Sequence, residues 1–160
     1  MNKINEFIKW AQKNGWKISF RNNSETNLPQ NIIERYIIPE EYKAFLTIVE
    51  KCINSEGNMW FFCNNDYLRN EENSFRYNEF EIISLDAADG DDELINGIKN
   101  YWNEHLPIIF NVNGEYEYYA INIEDQKIVY GFEPEFEESI IVANNFIEFM
   151  DKIIRGEIKL

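Results

Sequence analysis

Strand-forming runs that follow one another with only short polar breaks between them have to pair antiparallel, because a parallel partner needs a crossover of a dozen or more residues. Residues Leu106 to Ile154 have this form, reading LPIIFNVNGEYEYYAINIEDQKIVYGFEPEFEESIIVANNFIEFMDKII. Ile108 to Val112 is a short apolar run, and Asn113-Gly114 supplies the positive-φ positions of a two-residue hairpin turn. Glu117 to Asn122 holds the strand formers Tyr118, Tyr119, Ala120 and Ile121, and Glu124-Asp125-Gln126-Lys127 breaks the pattern before Ile128, Val129, Tyr130 and Phe132. Past the acidic Glu133 to Glu138 stretch, Val142, Phe146, Phe149, Met150 and Ile153 recur at helical spacing, with Asn145 and Glu148 placed as a capping pair. The segment predicts a three-stranded meander closed by a helix whose apolar face points inward.

Upstream, helices come first. Ile4, Phe7, Ile8 and Ala11 form an i, i+3, i+4, i+7 stripe that stops at Gly15, and Trp16 to Phe20 reads as a short strand before the polar loop Asn22 to Gln30. Asn31 to Ile37 is a short helix, and Pro39 opens a longer one with Tyr42, Phe45, Leu46, Val49 and Ile53 as its apolar stripe. Asn54-Ser55-Glu56-Gly57 is a turn, Met59 to Cys63 a strand, and Asn64 to Asn78 a long Asn-rich loop. Ile82 to Leu85 reads as a further strand, followed by a helix with Leu94, Ile98, Tyr101 and Trp102 facing inward. No repeat or linker divides the 160 residues, so the expectation is one domain spanning 1–160. Its class is α+β: a mainly antiparallel sheet of about five to six strands with helices packed against it.

Charge bears on partners. The chain carries 29 acidic and 15 basic residues, a net charge of −14, which disfavours nucleic acid and anionic membranes and favours a basic partner. The acids are clustered. No basic residue lies between Tyr77 and Ile98, where seven acids fall, nor from Ile128 through Asp151, where six fall with Asp151 included. If both segments face the same way, Asp86, Asp89, Asp91, Asp92 and Glu93 join Glu133, Glu135, Glu137 and Glu138 in one negative surface that would speed capture of a basic protein. Tyr67, Phe75 and Tyr77, set in the long polar loop, either anchor a partner or fold back on the core.

Reaction chemistry has little to work with. Asp86 to Glu93 lacks the alternate-position ligands of a calcium loop, and its carboxylates suit a helix N-terminus better than a metal. His105 is the only histidine, and Cys52 and Cys63, the only cysteines, have no metal-ligand spacing. No cofactor motif is present. Without an N-terminal apolar core or 18 uninterrupted apolar residues, the chain is expected to be neither exported by a conventional signal nor membrane-spanning, with its thiols reduced in the cytoplasm.

Two stretches carry a resemblance. Ile33-Glu34 followed by Ile38-Pro39-Glu40-Glu41-Tyr42-Lys43-Ala44-Phe45-Leu46 resembles the N-terminal signature of the SUKH superfamily. Tyr118-Tyr119-Ala120-Ile121-Asn122, a polar turn, Ile128-Val129-Tyr130 and then Val142 to Phe149 resemble its C-terminal signature. Asn122 stands where an Asp is common, Lys127 where a Gly is frequent, and Asn64 to Asn78 has no clear counterpart. That superfamily includes a fungal cell-wall regulator and many bacterial immunity proteins. The resemblance implies a non-enzymatic cytoplasmic protein that neutralises a toxin, such as a basic nuclease, by covering it. The other readings are a regulatory or scaffold protein with a native cellular partner, and a hydrolase holding a metal on Asp89 and Asp91, which Ca²⁺ or Mg²⁺ would have to stabilise.

Overall fold

The first helix shows how local chemistry sets the frame. Asn2 caps it, its Oδ1 accepting from the Ile4 amide at 2.8 Å, and the helix α1 (Lys3–Lys13) buries Ile4, Phe7, Ile8 and Ala11. Gly15, at φ +83°, lets the chain reverse into β1 (Lys17–Phe20). The computed structural model describes residues 2–22, 28–71, 74–133 and 136–160. After α2 (Gln30–Arg35), Pro39 sits just ahead of α3 (Glu40–Ile48), which buries Tyr42, Phe45 and Leu46.

Three assignments change here. The predicted stripe of α3 continued to Ile53, but the helix stops at Ile48 and Val49–Ile53 is the strand β2. Thr47, Ile48 and Val49 are β-branched and favour strand, and β2 pairs on both sides, Cys52 lying opposite Ile18 of β1 and opposite Phe61 of β3 (Met59–Phe61). Asn54 closes that hairpin, its Oδ1 accepting from the amides of Asn58 and Met59. The Asn-rich stretch is not all loop: residues Asn64–Leu68 form α4, with Asp66 accepting from the Cys63 amide at 2.8 Å. Ile82 to Leu85 is not a strand but part of α5 (Glu79–Ala88), whose buried residues Phe80, Glu81, Ser84 and Ala88 follow the helical period.

From α6 (Asp92–Glu104) the chain enters the meander β4 (His105–Asn111), β5 (Glu117–Asn122) and β6 (Ile128–Phe132). The β4–β5 connection is longer than two residues, since Asn111 pairs with Glu117; Gly114 supplies positive φ, and Tyr116 is drawn out of the ladder to stack on Phe80 at 5.5 Å. After a short 3-10 turn at Phe136–Glu138, the chain adds a strand the sequence reading did not assign, β7 (Ile140–Ala143). Val142 therefore belongs to β7, and the closing helix α7 is Phe146–Ile154. Asn145 caps α7 as expected, accepting from the Glu148 amide at 2.8 Å, while the Glu148 carboxylate reaches back to the Asn144 amide.

The seven strands pair antiparallel in chain order, β1 to β7, giving an α+β fold with one or two strands more than expected. Side chains alternate across the sheet, so successive residues serve opposite faces. Phe61 meets Phe7 of α1 at 5.1 Å and Tyr119 meets Phe149 of α7 at 5.1 Å on one face. On the other, Phe110 stacks on Phe80 of α5 at 3.9 Å and Tyr118 meets Trp102 of α6 at 4.8 Å. Helices thus cover both faces, and β1 and β7 form the two edges.

Candidate functional site

Both cysteines and the histidine are used for packing. Cys52 and Cys63 are free and buried, and burial pushes both thiols up, away from the reactive thiolate. His105 is also buried and stacks on Tyr101 at 4.0 Å. Its Nδ1 lies 2.7 Å from the Tyr101 carbonyl oxygen, which only accepts, so Nδ1 carries the hydrogen. Burial lowers its pKa and keeps the ring neutral. Among the described residues no three His, Cys, Asp or Glu side chains are grouped to hold a metal ion, and no helix is long and apolar enough to cross a membrane.

The acidic residues divide by duty. Glu79 is paired to Arg76 at 2.8 Å, and Glu81 is held by Arg35, whose Nη2 lies 3.0 Å from both carboxylate oxygens. Arg35 also donates to Asn103 of α6 at 3.1 Å and to the Tyr77 hydroxyl at 3.3 Å. One guanidinium thereby fixes α2, α5 and α6 together. Asp91 caps α6, accepting from the Leu94 amide at 3.1 Å, and Asp92 and Glu93 follow in its first turn, where the helix dipole favours them. Asp86 is exposed on the last turn of α5, and Asp89 sits in the turn at φ 29°.

The second acidic segment lies against the same two helices. Ser84 of α5 donates to Glu133 at the end of β6, and the Ser139 side chain hydrogen-bonds the Tyr101 hydroxyl of α6. Between these ties, Glu137 and Glu138 are exposed on the 3-10 turn. Asp92 is nine residues from Tyr101, which places it about 14 Å further along α6 at roughly 1.5 Å per residue. The two acidic segments are therefore held next to each other, with exposed acids on α5, on α6 and on the β6–β7 connection. Glu133 is only half exposed, so it tethers its segment more than it presents charge. Glu135 lies outside the described residues.

The aromatic anchors of the sequence reading are core groups. Tyr67 is 2% exposed and its hydroxyl donates to the Pro107 carbonyl at 2.6 Å. Tyr77 is buried under Arg35, and Phe75 packs between Trp60 at 5.9 Å and Tyr116 at 5.6 Å. Their surroundings are polar in sequence, yet each ring finds a partner inside, Tyr67 and Tyr77 buried and Phe75 partly buried. Exposed apolar surface lies elsewhere. Ile140 and Ile141, neighbours on β7, are 58% and 60% exposed. The signal for them was an apolar pair following an acidic run, with neither strand alternation nor helical spacing to place it.

No curated protein matches this chain. The SMI1 / KNR4 family (SUKH-1) matches residues 31–152, from α2 to the last turns of α7, and so includes both acidic segments and the whole of β2 to β7. The two stretches that resembled the SUKH signatures lie within that match, and the chain belongs to the SMI1 / KNR4 family, SUKH-1.

Proposed function

We propose that this chain is a cytoplasmic immunity-type protein, one domain over residues 1–160, that neutralises a cognate toxin by stoichiometric occlusion and not by catalysis. Family membership supports the class, since binding a protein partner is typical of SUKH proteins. The observation that supports the reading is the exposed acid around these helices: Asp86, Asp89, Asp91, Asp92 and Glu93 are exposed, as are Glu137 and Glu138, and Ser84–Glu133 and Ser139–Tyr101 hold the two segments next to each other. A surface of that sign repels nucleic acid and draws a basic protein, and an enzyme acting on phosphate backbones is the toxin class that needs a basic surface.

The test is titration of a basic nuclease toxin domain, encoded beside this chain, with the purified protein. Loss of nuclease activity that completes at a one-to-one ratio supports occlusion. Full activity in the presence of excess protein overturns it, and capture of a housekeeping protein in place of the toxin supports a regulatory role.

A further inference from the structure

We propose that the open edge of the sheet at Ile140 and Ile141 is the apolar centre of the docking surface, and that its occupant is a basic protein that grips this edge with Lys or Arg side chains over Glu137 and Glu138. The inference rests on the binding reading above and locates its contact. Four observations converge on it. First, β7 is an edge strand, paired only with β6. Second, Ile140 and Ile141 are adjacent and both more than half exposed. Neighbours on a strand point to opposite faces, so a partner lying flat on one face covers one of them, whereas a partner wrapping the edge covers both.

Third, the edge is guarded at one end only. Lys152 Nζ donates to the Val142 carbonyl at 2.9 Å, and the register slips there, with Ile128 opposite Ala143 but Val129 opposite Ile141. A bulge and a lysine are devices that stop unlimited strand pairing. The open part of the edge is short, which suits side-chain docking of one partner and not continued sheet growth. Fourth, the charge at its open end is acidic, with Lys152 at the guarded end. Glu137 and Glu138 precede β7 directly, and no basic residue occurs from Ile128 to Asp151. A second copy of the chain carries the same −14 and would place acid against acid, so charge selects a basic partner. An apolar centre inside a charged rim is the usual anatomy of a specific contact.

The probe is the same nuclease toxin domain, used with intact protein. Hydrogen exchange of the complex should show new protection at residues 137–143. The double variant Ile140→Asp/Ile141→Asp should raise Kd at least tenfold, mainly through faster dissociation. The variant Glu137→Lys/Glu138→Lys should slow association and flatten its dependence on salt. Wild-type inhibition that persists unchanged in both variants, with protection elsewhere, overturns the edge while leaving the immunity reading standing. Absence of wild-type inhibition overturns that reading and the edge with it. Protection of 137–143 that grows with the concentration of the chain alone makes the occupant a second copy and also overturns the proposal.

Discussion

Gly131 and Tyr118 face each other across β5 and β6, and the hydroxyl end of the phenol ring lies over the glycine. A Cβ at Gly131 would stand 2.6 Å from Tyr118 Cζ and 3.1 Å from Cε1, and closer still to the hydroxyl, whereas ordinary contact begins at 3.4 Å. Gly131→Ala therefore has to drive the ring back by about 0.8 Å, at the expense of packing tuned to its present place. The ring has nowhere to go: Tyr118 is fully buried, with Trp102 at 4.8 Å, Phe80 at 6.1 Å and the Tyr101 hydroxyl at 2.7 Å from its own. Overpacking of this kind costs about 1–3 kcal/mol. A weakened Tyr118–Tyr101 hydrogen bond adds about 1 kcal/mol. Reduced freedom of the unfolded chain returns about 0.4–1 kcal/mol. The net expectation is a loss of about 1–3.6 kcal/mol, read by urea denaturation followed by tryptophan fluorescence. The backbone at Gly131 has no positive φ, so the obstacle is the Tyr118 side chain, which supplies the three nearest atoms, and not backbone strain. In a Tyr118→Leu background the same methyl should cost at least about 1 kcal/mol less, a coupling that contact between the two positions requires. A neutral Gly131→Ala, or an equal cost in both backgrounds, refutes the argument.

Other expectations follow the same physics. Glu81→Gln leaves Arg35, only 19% exposed along its side chain, facing a neutral amide, and should cost about 2–3 kcal/mol; with Arg35→Met added, the total should fall short of the sum of the single changes. Additive losses in urea would show that the pair is not coupled. Asn145→Ala removes the cap of α7 and should cost about 1 kcal/mol, seen as a small fall in Tm. His105 titrates lower in the folded than in the unfolded chain, so the unfolded state takes up a proton first and stability should fall as pH drops below the ordinary value of 6.5. Comparing urea midpoints at pH 7.5 and pH 5 for wild type and His105→Gln, the variant should lose less over that interval; equal losses would place the cause in the carboxylates.

How much of this was legible follows from what each segment needs. The α1 and α7 helices declare themselves because Ile4, Phe7, Ile8 and Ala11, and Phe146, Phe149, Met150 and Ile153, all point one way. The strands β4, β5 and β6 are visible because turn residues isolate apolar runs. Val49, Cys52 and Ile53 fit a helical stripe and a strand equally well, and only pairing with β1 and β3 decides between them. Ile82 and Ile83 look like strand residues over four positions, but Phe80, Ser84 and Ala88 reveal a helix once the window is widened. Gly131 was a readable sign that passed unused, since a glycine inside a strand often marks a close approach. The Arg35–Glu81 clamp joins residues 46 apart and had no local signal.

The site itself was half legible for a related reason. Composition locates acidic runs but cannot say which acids are occupied, and here the fold divides them. Glu79, Glu81 and Asp66 hold arginines, Asp151 holds Lys3 and Arg155, and Glu117 receives the Tyr130 hydroxyl. Asp86, Asp89, Asp92, Glu93, Glu137 and Glu138 have no ion pair among the described residues, and all are exposed. Charge reversal at these positions removes no ion pair, so the fold should tolerate it to within about 0.5 kcal/mol per site at Asp86, Asp89, Glu137 and Glu138 and lose about 0.3–1 kcal/mol at Asp92 and Glu93, which sit at the positive end of the α6 dipole. The same changes alter the field seen by an approaching basic protein at every salt concentration below full screening. Folding and capture are thus separable at these residues: urea midpoints that move no more than this, with slowed association, assign the acids to a partner, whereas a large loss of stability would show that these acids belong to the fold.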